Sequence, residues 1–156
     1  MLTCANVTSS GEIGKAPVIC VWDSHTLETL SVLKGVHGHG IAALNFGSSP
    51  RNKLLVSVGT DPKHTIVVWD WVKGLPMAHV NGHGDVVADV QFSPYEANRI
   101  VSCGAKHIKF WTLSGNTLSV RLHYKKNYRH RFQTIESYFL RGTELLDVGE
   151  HCKRCE

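Results

Sequence analysis

Three apolar stretches, each leading into a tryptophan, divide the chain into similar segments. They are residues 18–23, 66–70 and 107–112, which carry Trp22, Trp69 and Trp111. The tryptophans are separated by 47 and 42 residues. β-Branched and aromatic side chains dominate these stretches, as is typical of strands. The pattern therefore indicates one strand-forming unit that repeats along the chain.

The segments upstream of the second and third tryptophans also align. His37 precedes Phe46 by nine residues, and His83 precedes Phe92 by the same nine. A proline turn follows each phenylalanine, with Pro50 in the first case and Pro94 in the second. Two further β-branched runs come next, and each ends at a glycine; they are residues 54–58 before Gly59 and 99–103 before Gly104. Each repeat thus predicts an ordered series of strands and tight turns.

A further strand is predicted after each tryptophan, over Leu27 to Leu33, Leu75 to Val80 and Thr117 to Leu122. Four strands that recur every roughly 40–45 residues are typical of the blades of a WD-repeat propeller. We therefore predict an all-β fold, a partial WD-repeat β-propeller with two full blades plus a partial one over residues 16–121. Residues 1–15 are assigned to an N-terminal extension and residues 122–156 to a basic tail. Because a propeller ring needs roughly four to eight blades, the chain is expected to be a fragment, a short isoform or a mis-predicted gene product.

Polar residues also recur at positions that the blades would bury. A histidine, the serine of the second strand, the tryptophan and an aspartate in the following turn can form one hydrogen-bonded chain. Such a chain satisfies polar groups that would each cost about 1–3 kcal/mol if they were left unpaired. The candidates in the first full blade are His37, Ser57, Asp61 and Trp69, and those in the second are His83, Ser102 and Trp111. The second blade has no acid in its turn at residues 104–106, so we predict an incomplete network there.

The charge is unevenly placed along the chain. The net charge is +4, from 17 Lys plus Arg against 13 Asp plus Glu. Residues 1–120 hold nine basic and eight acidic side chains, so +3 of the total lies in the last 36 residues. A nucleic-acid-binding domain would spread a basic face over its fold, so that class is disfavoured. No membrane span or secretory signal is recognised, and a cytosolic chain whose five cysteines are reduced thiols is expected.

Residues 121–131 contain five Lys or Arg and no acid. One interpretation is a solvated basic extension. Another is electrostatic docking to an acidic surface, with possible contacts from Lys125, Lys126, Arg129 and Arg131. The acidic surface could belong to a protein or to nucleic acid, because the aromatic rings of Tyr124 and Tyr128 would permit stacking on nucleic-acid bases. A nucleic-acid partner is the weakest of the functional hypotheses, since it needs only residues 121–131.

Two structures are compatible with the tail. His130 stands nine residues before Phe139, which fits a degenerate further blade. Alternatively, Phe132, Ile135 and the aromatic pair at 138 and 139 fit one helix face that Gly142 would terminate. The sequence leaves both alternatives open.

Neither a catalytic nor a metal site is predicted. His37 and His39 have no Asp, Glu or Cys at ligand spacing, and the pair Cys152 and Cys155 supplies only half of a zinc knuckle. Motifs of nucleophilic catalysis are not found. We therefore expect no cofactor and no enzymatic activity.

Three segments carry a resemblance to a known family. The stretches Val68-Trp-Asp-Trp71 and Lys106-His-Ile-Lys-Phe-Trp-Thr-Leu-Ser-Gly-Asn116, together with Cys20-Val-Trp-Asp-Ser24, resemble the echinoderm microtubule-associated protein-like family over about residues 16–120. The resemblance implies a non-enzymatic, cytoplasmic scaffold of the cytoskeleton that contacts tubulin. It implies no catalytic residue. A generic WD-repeat adaptor that binds other proteins through its blade surfaces is the alternative, because fold alone does not determine function.

Overall fold

The computed structural model describes residues 2–8, 16–47, 53–104 and 107–125, with side chains described only between residues 16 and 121. These residues form eleven β-strands and no helix. Sheet 1 contains β1 (Leu2–Thr8), β2 (Val18–Asp23) and β3 (Thr29–Leu33). Sheet 2 contains β4 (Ile41–Phe46), β5 (Leu54–Gly59), β6 (Ile66–Asp70) and β7 (Leu75–Val80). Sheet 3 contains β8 (Val87–Phe92), β9 (Arg99–Gly104), β10 (His107–Ser114) and β11 (Thr117–Lys125).

Each sheet follows the chain in an antiparallel meander. The strand orders are β1-β2-β3, β4-β5-β6-β7 and, for sheet 3, β8 through β11 in sequence. In sheet 2, Val56 pairs with Val68 and Ser57 pairs with Val67. The hydrophobic alternation of the sequence therefore becomes two faces on each sheet, since successive residues of a strand point to opposite sides.

Two hydrophobic clusters hold the sheets together, and sheet 2 contributes to both. One cluster joins Ile19, Val21 and Leu33 of sheet 1 to Leu55, Val67 and Trp69 of sheet 2. The other joins Val56, Val58, Ile66 and Val68 of sheet 2 to Val90, Ile100 and Trp111 of sheet 3. The first strands of the two full sheets also meet, where Phe92 N–H donates to Asn45 Oδ1 at 3.1 Å. The sheets thus stack face to face as neighbouring blades, and the molecule is a partial β-propeller.

The aspartate after a tryptophan closes the turn that follows it. Asp23 Oδ1 accepts hydrogen bonds from the N–H groups of His25 at 2.7 Å and Thr26 at 3.2 Å, and Asp70 accepts one from Lys73 N–H at 3.0 Å. The hydrogen bonds to Asp23 lower the pKa of its carboxyl below the ordinary value of 3.8. The first turn extends to Leu27, which has φ of 61°. This strained backbone explains why β3 begins at Thr29 instead of at the predicted Leu27.

The N-terminal segment differs from the prediction as well. Residues 2–8 form β1, which pairs with β2 in a register that includes Asn6 with Cys20, whereas the predicted N-terminal extension over residues 1–15 contains no strand. In sheet 3, β11 extends to Lys125, beyond the predicted end at Leu122. Both alternatives for the rest of the tail, a degenerate blade and a helix, lie outside the described residues.

Candidate functional site

The buried polar residues of sheet 2 form a hydrogen-bonded chain. Trp69 Nε1–H donates to Ser57 Oγ at 2.8 Å, and Ser57 Oγ lies 2.7 Å from His37 Nε2. All three side chains are at least 95% buried. Because the indole can only donate, the Ser57 hydroxyl accepts from Trp69 and can donate its own proton to His37. This arrangement fastens the loop before β4 to the two central strands of the sheet.

Asp61 lies beside this chain, and its hydrogen bonds go to its own turn. Its carboxylate accepts from Lys63 N–H at 3.1 Å and from Thr65 through both N–H and hydroxyl at 3.0 Å. Burial of Asp61 opposes its ionisation, but these hydrogen bonds outweigh that effect and hold the pKa of the carboxyl below its ordinary value of 3.8. Asp61 and His37 meet above Gly59, where a Cβ atom would lie 2.5 Å from Asp61 Oδ2 and 2.7 Å from His37 Nδ1. Glycine is therefore required at this crossing.

The electrostatics of His37 follow from this position. Burial lowers the pKa of its imidazole below the ordinary value of 6.5, and the Asp61 carboxylate opposes that shift without cancelling it. Among the described residues, His37 Nδ1 has no hydrogen-bond partner. The neutral imidazole is thus the form that suits the folded blade.

Sheet 3 arranges the equivalent residues differently. Trp111 Nε1–H donates to Ser102 Oγ at 2.9 Å. The His83 ring stacks on the ring of His107, with centroids 3.8 Å apart and planes at 19°, while His83 Nδ1 accepts from Asp85 N–H at 2.9 Å. In place of an acid after Gly104, this corner contains a second, fully buried imidazole.

A cleft of about 390 Å³ lies at the seam between sheets 2 and 3. It is lined by Pro62, Lys63, Asn81, Gly82, His83, Gly84 and Lys109. Lys63 is exposed at its rim. Lys109 Nζ donates to the carbonyl of Gly82 and lies 5.3 Å from the centre of the Trp111 ring, and burial lowers the pKa of its ammonium group. The cleft therefore combines one exposed cation with one that is held by the Gly82 carbonyl, an arrangement that suits an acidic group.

Sequence reasoning missed two residues of this region, His107 and Lys109. Both lie in β10 before Trp111, and the sequence analysis uses that strand as a repeat marker and for the family resemblance, without assigning a role to either side chain. The signal was present in the sequence, because a histidine and a lysine replace apolar residues expected in a blade strand. Their partners lie in the loop at residues 82–83, which is distant in sequence.

Other predicted features are placed as follows. The side chain of Lys125, at the end of β11, is not described, and Lys126, Arg129 and Arg131 lie outside the described residues. Cys20 and Cys103 are free thiols, and burial, with a smaller effect of Asp89, raises the pKa of Cys103 to about 11. Within the described ranges, no three His, Cys, Asp or Glu side chains cluster as they would around a metal ion. No helix in this part of the chain is long and apolar enough to cross a membrane.

Comparison with solved structures supports the fold. A chain of the crystal structure of the mitotic checkpoint complex superimposes with a TM-score of 0.56 and 20% sequence identity, over 69% of this chain and 34% of that one. At this identity the likeness concerns the fold alone.

Sequence comparison identifies closer relatives. Echinoderm microtubule-associated protein-like 4 of Homo sapiens is 38% identical over 104 residues, which cover 66% of this chain and 11% of the relative. Echinoderm microtubule-associated protein-like 2 of Homo sapiens is 36% identical over 106 residues, which cover 67% of this chain and 16% of the relative. Echinoderm microtubule-associated protein-like 1 of Mus musculus is 36% identical over 104 residues, which cover 66% of this chain and 13% of the relative. The matched region thus spans a small part of each relative's length.

The family model described as the first β-propeller of echinoderm microtubule-associated protein matches residues 2–145. This range extends the resemblance in both directions beyond residues 16–120, and it includes β1 and much of the tail. Because the match covers well over half of the 156 residues, the chain belongs to the echinoderm microtubule-associated protein family.

Proposed function

We propose that this chain is part of a microtubule-associated WD-repeat scaffold that binds tubulin or other cytoskeletal partners in the cytoplasm. The carrying observation is family membership, since relatives 36–38% identical to this chain are named as microtubule-associated proteins. The proposed role is binding, and the buried polar residues of sheet 2 support it by hydrogen-bonding to one another within the blade, where they stabilise the scaffold.

The seam cleft supports a specific contribution to binding. It brings Lys63 and Lys109 together at the junction of two blades, and a cation pair at a concave site attracts an acidic peptide. Tubulin's carboxyl-terminal tails have that chemistry, as the family resemblance implies. Lys63, which is exposed, is the cation that can reach such a partner without breaking a contact of the fold.

The basic tail supports a second, less specific contribution. The body to residue 120 has a net charge of +1, while the remaining residues hold +3. Attraction between exposed charges is screened over about 10 Å at 0.1 M ionic strength and about 3 Å at 1 M. The tail contribution should therefore fall steeply with salt, whereas a packed blade contact should change little.

Co-sedimentation of the full chain with microtubules over a range of salt concentrations tests both contributions. We expect glutamine at Lys125, Lys126, Arg129 and Arg131 to flatten the salt dependence without abolishing binding. Lys63→Glu is expected to weaken the binding that the tail variant retains at low salt. A control variant with glutamine at the exposed Lys34, Lys53 and Lys73 removes charge from the body and should behave like the parent chain.

Three outcomes would contradict this function. A folded chain that does not pellet with microtubules at low salt would leave the generic WD-repeat adaptor as the function. Equal co-sedimentation with RNA would assign the binding to the basic tail alone. Unchanged binding by Lys63→Glu, together with full loss in the tail variant, would exclude a specific blade contact.

A further inference from the structure

The repeat tryptophans of sheets 2 and 3 point toward the preceding sheet. Trp69 packs with Ile19 and Val21 of sheet 1, and Trp111 packs with Val56 and Val68 of sheet 2. We call the tryptophan side of a sheet its leading face and the opposite side its trailing face. Both internal interfaces therefore join a leading face to the trailing face of the sheet before it.

The leading face of sheet 1 has no described sheet against it. Trp22 occupies the repeat position of Trp69, and Cys20 occupies that of Val67, 47 residues earlier in each case. Trp69 and Val67 are 1% and 0% exposed, whereas Trp22 and Cys20 are only half-buried. Since Ile19 and Val21 face sheet 2, strand alternation directs Cys20 and Trp22 to the other side.

The trailing face of sheet 3 shows the same deficit. Ile108 pairs with Cys103, and paired residues share a face. Their repeat equivalents in sheet 2 are Ile66 and Val58, both 0% exposed beneath sheet 3. Ile108 and Cys103 are half-buried. Asp89 also pairs with Cys103 and shares this face, and its carboxylate accepts hydrogen bonds from Val90 N–H at 2.8 Å and Gln91 Nε2–H at 3.2 Å. Apart from this hydrogen-bonded carboxylate, one chain carries both halves of the apolar interface that it already forms twice internally.

We propose that the leading face of sheet 1 in one copy of this chain packs on the trailing face of sheet 3 in a second copy. The contact continues the established blade-to-blade interface, with Cys20 and Trp22 facing Cys103 and Ile108. It is a head-to-tail contact, which closes into a ring where the rotation permits. One chain contributes three described sheets, so a ring of two copies would have twice that number of blades. This number lies within the roughly four to eight blades of closed propellers.

Sedimentation velocity of the full 156-residue chain tests the proposal. The average mass should rise with protein concentration above that of the 17.3 kDa monomer. Cys20→Asp blocks the leading face and Ile108→Asp the trailing face, because either would bury an unpaired carboxylate. Each should raise the concentration at half-assembly by on the order of tenfold or more. Leu75→Asp, at a sheet 2 position that is 58% exposed although that sheet is flanked on both sides, should change nothing.

Mixing the two face variants distinguishes this contact from a symmetric one. Each variant alone has one blocked face, so it should stay monomeric. The equimolar mixture retains one intact pair of faces and should form 1:1 dimers and nothing larger. Dimers of either variant alone would show that like faces pair, which would overturn the head-to-tail geometry.

Alkylation of the unmodified chain gives a measurement that does not depend on folding of the variants. Cys20 and Cys103 lie on opposite faces of the proposed contact, so alkylation at both should slow together as concentration rises. Peptide mass spectrometry reads each site separately. A chain that stays monomeric throughout, or whose mass rises while both alkylation rates stay constant, would contradict the proposal and assign these faces to another occupant, such as residues 126–156.

Discussion

The imidazole of His37 couples the stability of sheet 2 to pH. Burial holds its pKa below the ordinary value of 6.5, so the unfolded chain binds the proton more readily than the folded one. Stability rises with pH wherever the unfolded state binds more protons. The contribution of neutral His37 is therefore fully present above about pH 6.5 and is lost progressively as the pH falls toward the lower folded pKa.

Urea unfolding between pH 5 and 7.5, followed by circular dichroism, measures this effect. We expect the free-energy advantage of the parent chain over His37→Gln to shrink as the pH falls below about 6.5. Asp61 does not interfere in this pH range. The pKa of its carboxyl lies below the ordinary value of 3.8, so Asp61 stays ionised between pH 5 and 7.5. His39→Gln, at an exposed position two residues away, is the matched control. A pH-independent difference for His37→Gln would exclude the coupling.

At the residue scale, the sequence predicts which residues form the blade network more readily than it predicts the hydrogen-bond partner of each one. The repeat spacing is enough to pair Trp69 with Ser57 and Trp111 with Ser102, because both residues lie on neighbouring strands. It could not show that the Asp61 carboxylate is occupied by its own turn. Nor could it show that His107 stacks on His83, since that contact depends on how a loop folds back over β10.

At the scale of elements, the strands were predictable where the repeat is periodic and not where it is interrupted. β7 runs from Leu75 to Val80, as predicted for the strand that follows Trp69. The repeat order, with a strand after each tryptophan, placed the start of β3 at Leu27, but the Asp23 turn continues through that residue. β1 lies in a segment without a tryptophan marker, so only its pairing with β2 identifies it as a strand.

Close approach at Gly104, where β9 ends, makes that strand sensitive to one added methyl group. A Cβ at Gly104 would overlap the Val86 carbonyl oxygen and would lie 2.6 Å from His107 Cε1. The carbonyl belongs to the backbone and cannot rotate away, and β8 already carries a register shift between Val87 and Asp89. We expect Gly104→Ala to reduce the free energy of unfolding by about 1–3 kcal/mol, as overpacked sites typically do.

Gly38→Ala is the control for this substitution. A Cβ at Gly38 meets no atom within 4 Å, so its stability should change by no more than about 0.5 kcal/mol. Urea unfolding of both variants at the same pH gives the comparison. Equal stability of the two variants would show that β8 and β9 separate at no cost, contrary to the structure.

For the whole molecule, the all-β class and the order of blades follow from the repeat, but the distribution of burial does not. Val56 of β5 and Val67 of β6 lie on neighbouring strands of sheet 2. Their side chains point to opposite faces of the sheet, Val56 into the cluster with sheet 3 and Val67 into the cluster with sheet 1. Both are 0% exposed. Such double burial arises because sheet 2 has neighbours on both sides, a property of the assembly of sheets that no single repeat encodes.

Amide hydrogen exchange should reveal this asymmetry. Backbone amides open with free energies that rise with the burial and packing of their segment. We therefore expect β5 and β6 to exchange most slowly, β2 and β10 faster, and β3, whose residues are mostly exposed, faster still. The measurement belongs at low protein concentration, where contacts between copies are dilute, with rates normalised to unstructured peptides. If β2 and β10 were protected as strongly as β5 and β6 under those conditions, the stability of the propeller fragment would reside within each sheet and not in the two clusters between them.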